Sequence, residues 1–147
     1  MGKYRFRLET LRRLRALHRD QQRAALAEAY QAEQVLAEQR AELAGEQHEL
    51  RRLQRSALTG GYLNVNRLVE AQRYEMVLKA TEQHLAEQSQ RLAVEVERRR
   101  LAAIEADRSV RVLELLDDRQ HREHARRQQR LDVKWLDEVA VLRRPVV

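Results

Sequence analysis

Side chains that could hold a metal, move a proton or grip a phosphate are present in this sequence, but few stand in a usable pattern. His121 and His124 are three residues apart, so a helix would place both on one face, where imidazoles can share a divalent ion. The one acid between them, Glu123, points elsewhere on a helix, and no further ligand is well placed beside them. The pair is therefore expected on a solvated basic face, without a metal. Carboxylates are abundant but are expected on exposed helix surfaces, where nothing shifts their pKa and no acid–base pair forms. The sequence has no Gly-rich phosphate loop, no nucleophile elbow, no His-Glu-x-x-His and no cysteine. It calls for no catalytic residue, no cofactor and no enzyme activity.

Phosphate contacts are the remaining chemistry. Arg98-Arg99-Arg100 and the run 119–130, with five arginines against Glu123, have the charge for it. No base-reading module accompanies them, and Tyr4, Phe6 and Trp135 are too sparse for a stacking platform. Nucleic acid is thus not the expected partner, although a basic coiled coil that binds nucleic acid is the alternative of a different class. Residues 3–17 are Arg-rich and amphipathic, which also suits a membrane surface.

The elements that would position these groups are long helices. Charged residues make up 35% of the chain and aromatic ones 4%, with four glycines and one proline. Such a composition belongs to coiled coils, and the apolar residues recur at helical spacing. Leu8, Leu11, Leu14 and Leu17 advance by threes. Leu36, Leu43, Leu50 and Ala57 lie seven apart, with Leu53 beside them and Ala25, Ala29 and Ala32 upstream. That is a heptad seam with little area per layer. Gly45 interrupts the arm on a solvated face, at about 1 kcal/mol relative to alanine.

Thr59 to Asn64 is the one interior stretch that does not read as helix, and its two glycines, Gly60 and Gly61, are expected to supply positive φ angles for a reversal. Asn64 or Asn66 caps the next helix. In the second arm Leu78, Leu85 and Leu92 keep the seven-residue step, and the move to Val96, Ala103, Val110 and Leu113 reads as a stutter. Pro145 ends it. The fold class is therefore all-α: a long two-helix antiparallel coiled-coil hairpin, one domain over residues 1–147. The expected elements are a helix over about 5–58, a turn over about 59–64 and a longer helix over about 65–143.

Folding about residues 60–61 pairs position i with about 121 − i, so Leu8 falls near Leu113 and the second arm overhangs by some 25–30 residues, about 40 Å. Leu131, Trp135, Leu136, Val139 and Leu142 lie on that overhang. Uncovered apolar residues on a lone helix call for a partner. Net charge is +6, with basic residues gathered at the two ends: residues 3–15 hold six basic groups against Glu9. No apolar run approaches the roughly 20 residues a membrane helix needs, so no transmembrane segment is expected. A cytoplasmic protein is the default.

The two ends together resemble one family. Tyr4-Arg5-Phe6-Arg7-Leu8-Glu9-Thr10-Leu11-Arg12-Arg13-Leu14 looks like the start of the flagellar type III export protein FliJ. Val112 to Gln120, then an Arg/Glu-rich helix and Leu136-Asp137-Glu138-Val139-Ala140, is similar to its close. The resemblance implies an antiparallel coiled coil like the central (gamma) stalk of rotary ATPases. It implies three partners: the hexameric flagellar export ATPase, the cytoplasmic domain of the export gate, and export chaperones. It also implies a place at the cytoplasmic face of the inner membrane. A stalk for a virulence-type secretion system or another rotary ATPase is the near alternative. On this reading the ATPase-binding residues are Leu8, Leu11, Arg12, Arg13 and Leu14 from the first arm, with Leu131, Trp135, Leu136, Val139 and Arg143 from the second.

Overall fold

The computed structural model of the chain describes residues 2–61 and 64–145. Two helices account for nearly all of it: α1, Glu9–Thr59, and α2, Val65–Leu142. Alanine, leucine, glutamate, glutamine and arginine dominate both and are strong helix formers. Ion pairs one turn apart reinforce them. Arg52 bonds Glu49, Arg98 and Arg99 share Glu95, and Arg100 bonds Glu97. In each the acid precedes the base, the order that also suits the helix dipole.

α1 begins at Glu9, later than its apolar spacing suggests, because residues 2–6 are not helical and Arg7-Leu8 form a turn. The reversal is partly as expected. Gly61 has φ +73°, but Gly60 does not need a positive φ: a Cβ there would meet the Ser56 carbonyl oxygen at an ordinary 3.5 Å. Tyr62 and Leu63 of the expected turn lie outside the described residues. The cap is Asn64, whose Oδ1 accepts a hydrogen bond from the Asn66 amide at 3.2 Å. At the far end α2 stops at Leu142, and the Arg143 amide bonds the Val139 carbonyl.

The chain divides into two units. In residues 22–102 the helices run antiparallel. The Tyr74 hydroxyl donates to Glu46, Gln47 donates to Glu82, and an Arg99 Nη donates to the Ala25 carbonyl at 2.7 Å. The core is one layer thick: Leu36, Leu43, Leu78 and Leu85, flanked by Leu50 and Leu92. Ala29 is buried, as its place in the seam predicts, but Ala32, Leu53 and Ala57 are exposed. Gly45 is exposed with nothing near its would-be Cβ, which fits a solvated face.

In residues 1–21 with 103–147, the buried side chains Ala103, Ala106, Val110 and Leu113 all come from α2. α1 turns Arg12, Ala16 and Arg19 half-buried, and its leucines stay out.

Along α2 the covered positions show no stutter. Leu85, Ser89, Leu92, Val96, Arg99, Ala103, Ala106, Val110, Leu113, Asp117, Gln120 and His124 alternate steps of four and three, and all are buried or half-buried. Leu92 and Val96 simply belong to the two rows of one unbroken heptad. Arginine, serine and aspartate occupy several of those positions, which hid the continuity from an apolar count.

Candidate partner-binding surface

Residues 2–6 lie along α2 as a short strap that the turn at Arg7-Leu8 joins to α1. Its side chains alternate as an extended chain requires: Tyr4 and Phe6 are half-buried, while Lys3, Arg5 and Arg7 are exposed. Tyr4 is the anchor. Its hydroxyl donates to Asp117 Oδ1 at 2.7 Å and reaches the Asp117 carbonyl at 3.2 Å. Its ring meets His121 edge-on at 4.9 Å between centroids and His124 at 5.6 Å. Asp117 Oδ2 also accepts from Arg12 at 3.2 Å, and Arg12 in turn holds Glu9 at 2.8 Å. Desolvation and the Asp117 carboxylate push the Tyr4 phenol up to about 12.

The Tyr4 ring therefore packs against both histidines; His121 is exposed, as expected, while His124 is half-buried. Asp117 stands four residues before His121 on the same side, a neighbour that the sequence reading overlooked. The period-two alternation of residues 3–8 was the available signal for the strap.

An extended chain covers α2 at about twice the rate of a helix, roughly 3.3 Å against 1.5 Å per residue. The strap thus reaches His124, and the overhang is shorter than the helix-to-helix register predicts. From His124 to Leu142 it is eighteen residues, about 27 Å.

The residues expected to bind a partner form two groups. Leu8 and Leu11 are 38% and 37% exposed, and Leu14 is 59% exposed. Arg12 is pinned between Glu9 and Asp117, whereas Arg13 is largely free and touches only Glu9. On the overhang Leu131, Trp135 and Leu136 are 58–63% exposed, Val139 is half-buried and Arg143 is exposed. Among the described residues no hydrogen bond, ion pair or ring contact joins the two groups. Arg12 is better described as a brace for Asp117 than as a free contact.

The carboxylates are not unperturbed, as had been expected. Arg98 and Arg99 hold Glu95 down to about 2, and Arg12, Arg52 and Arg100 lower Glu9, Glu49 and Glu97. Each shift moves the group further from neutrality, the reverse of what proton-transfer catalysis uses. Among the described residues no group of three or more metal-ligating side chains is assembled, and no helix is long and apolar enough to cross a membrane.

A hairpin of helices with an unpaired, partly apolar end is what comparison with known families now meets. A family model described as Flagellar FliJ protein matches residues 4–144, nearly the whole chain. The chain belongs to the FliJ family. No curated protein and no solved structure matches it. For this FliJ-family chain the match spans both the Tyr4 strap and the overhang up to Arg144, so the two halves of the candidate surface lie inside the family's own boundaries.

Proposed function

We propose that this chain is a non-enzymatic component of the flagellar type III export apparatus, a central-stalk-like coiled coil that binds the hexameric export ATPase. Family membership supports the export role. The observation that carries the stalk reading is the run of exposed Leu131, Trp135 and Leu136 on a helix that continues past His124, the last residue the Tyr4 ring meets. Exposed apolar side chains on a lone helix are costly in water, and a ring that receives the helix removes that cost. Leu8, Leu11 and Leu14 supply a second apolar group on α1, with Arg13 and Arg143 beside the two sets.

The working unit is the whole chain, residues 1–147, in the cytoplasm and peripheral to the inner membrane. The cytoplasmic domain of the export gate and the export chaperones are its further partners, and the coupling of ATPase to gate passes through it. Replacing Leu136 and Val139 by aspartate should abolish capture of the export ATPase while far-UV circular dichroism keeps its helical signal. Undiminished capture by the helical variant would remove these residues from the interface.

A further inference from the structure

The strap is fastened at one side chain. Among the described residues 2–6, Tyr4 alone makes a side-chain hydrogen bond or ring contact: its hydroxyl donates to Asp117 and its ring meets His121 and His124. Behind it the Glu9 amide donates to the Phe6 carbonyl at 3.3 Å, which ties the strap to the start of α1. A segment held by one side chain opens and closes with small changes in the contacts of that side chain.

Two of those contacts are to imidazoles, the side chains that exchange a proton between about pH 5 and 8. Their centroids lie 4.9 and 5.6 Å from that of the Tyr4 ring, inside the range of about 6 Å over which a cation is drawn to an aromatic ring. Protonation therefore turns two neutral ring contacts into cation–ring contacts. The surroundings admit the added charge. On α2, Asp117 and Asp118 stand one turn before His121, and both carboxylates act on the Tyr4 phenol. From α1, Arg12 faces the same cluster, but Glu9 and Asp117 share its charge and Glu114 acts on it as well. Arg127, three residues after His124, is the opposing cation on α2, and Lys3 and Arg5 stand at the exposed alternate positions of the strap.

We propose that residues 2–6 are a proton-operated latch: the strap closes on α2 as His121 and His124 gain protons and opens as they lose them. A proton that tightens the closed strap also binds the closed form more strongly. Closure is therefore greatest below the imidazole range and falls as pH rises through it. The Tyr4 phenol, pushed up to about 12, keeps its proton throughout and goes on donating to Asp117. With the strap open, the remaining bond to this stretch of α2 is that of Arg12 to Asp117. The part of α2 beyond the bonded residues then grows from eighteen residues, His124 to Leu142, to twenty-five, Asp117 to Leu142. The latch stands on these contacts and does not depend on which partner receives the overhang.

The test places a reporter on the strap. The chain has no cysteine, and a Cβ at Gly2 would meet nothing within 4 Å, so Gly2→Cys in the full chain takes a single nitroxide label without displacing the strap. Its electron paramagnetic resonance spectrum separates an immobilised label, strap closed, from a mobile one, strap open. At a constant salt of about 0.1 M, the closed-to-open ratio should fall about fivefold or more between about pH 5.5 and about pH 8, a factor of about two to five for each histidine. Helical content by circular dichroism should be the same at both ends of the range, since the strap is not helical.

His121→Gln with His124→Gln should flatten the profile, and His18→Gln, the other histidine of the terminal unit, should leave it unchanged. Tyr4→Ala should keep the label mobile at every pH. Tyr4→Phe keeps the ring but not the hydroxyl, so it should lower closure throughout and retain the slope. Equal label mobility across the range, or tighter closure at the higher pH, would overturn the proposal. So would a slope that survives in the His121 and His124 double variant, which would assign it to another group, or one that vanishes in Tyr4→Phe, which would assign it to the hydrogen bond. A loss of helicity that follows the label would overturn it too, by placing the transition in the helices.

Discussion

Leu78→Ala is the perturbation that most directly probes the one-layer core. Leu78 is 4% exposed and packs in the cluster with Leu36, Leu43 and Leu85. In an enclosed core, Leu→Ala costs about 2.7–5 kcal/mol, the sum of a transfer loss and a residual cavity. Two helices leave the layer open at its sides, so neighbouring side chains and water fill the gap and the cavity part shrinks. What remains is mainly the transfer loss, about 2–3 kcal/mol. Urea unfolding followed at 222 nm would show this as a lower midpoint. With a slope of about 2 kcal/mol per molar, the shift is about 1–1.5 M. Val77→Ala is the control, since Val77 is the next residue along and 58% exposed. It should move stability by less than about 0.5 kcal/mol. Equal shifts for the two variants would refute a core confined to the leucine rows. A loss near 5 kcal/mol would refute the open-sided layer.

Two further outcomes follow from the turn and from the ion pairs. Gly61→Ala should cost about 1–2 kcal/mol in urea unfolding because Gly61 sits at φ +73°. Gly60→Ala should be neutral within about 0.5 kcal/mol, and equal losses would show that both glycines are needed. Glu95 titrates near 2 in the folded chain, below its ordinary value of 4.5, so its contribution to stability is present above pH 4.5 and is lost as pH falls toward 2. The urea midpoints of the protein and of Glu95→Gln should therefore differ at neutral pH and converge near pH 2, and a gap that persists unchanged at low pH would contradict the Arg98–Glu95–Arg99 arrangement.

The fold class was legible because its signal is local. Seven-residue steps from Leu36 to Leu50 and from Leu78 to Leu92, a Gly-Gly break and a capping asparagine each need only a few neighbours to be read. The errors share one cause: positions were judged by apolarity alone. Arg99 and Asp117 occupy seam positions, so a continuous heptad on α2 looked like a stutter. Ala32 and Ala57 have the composition of a seam but face solvent. Tyr4 and Asp117 lie 113 residues apart, so no local pattern joins them. The exposure of Trp135 and Leu136 is legible in the sequence because the second arm is plainly longer than the first; that of Leu14, on the first arm, is not. Nor is the pinning of Arg12, because it depends on an acid across the unit.

By itself the sequence determined that this chain makes two helices, where they break, and which end keeps its charge and uncovered leucines. Periodicity, turn residues and composition carry that information, and each acts over a turn or two of helix. Only the tertiary structure decided that residues 2–6 leave the helix and lie on α2 as a strap, that Asp117 receives both Tyr4 and Arg12, and that the Tyr4 ring reaches His124. Those outcomes depend on which α1 residue meets which α2 residue. An extended strap gains reach and a shared carboxylate that a continued helix would not have, and that exchange appears only when the two helices are side by side.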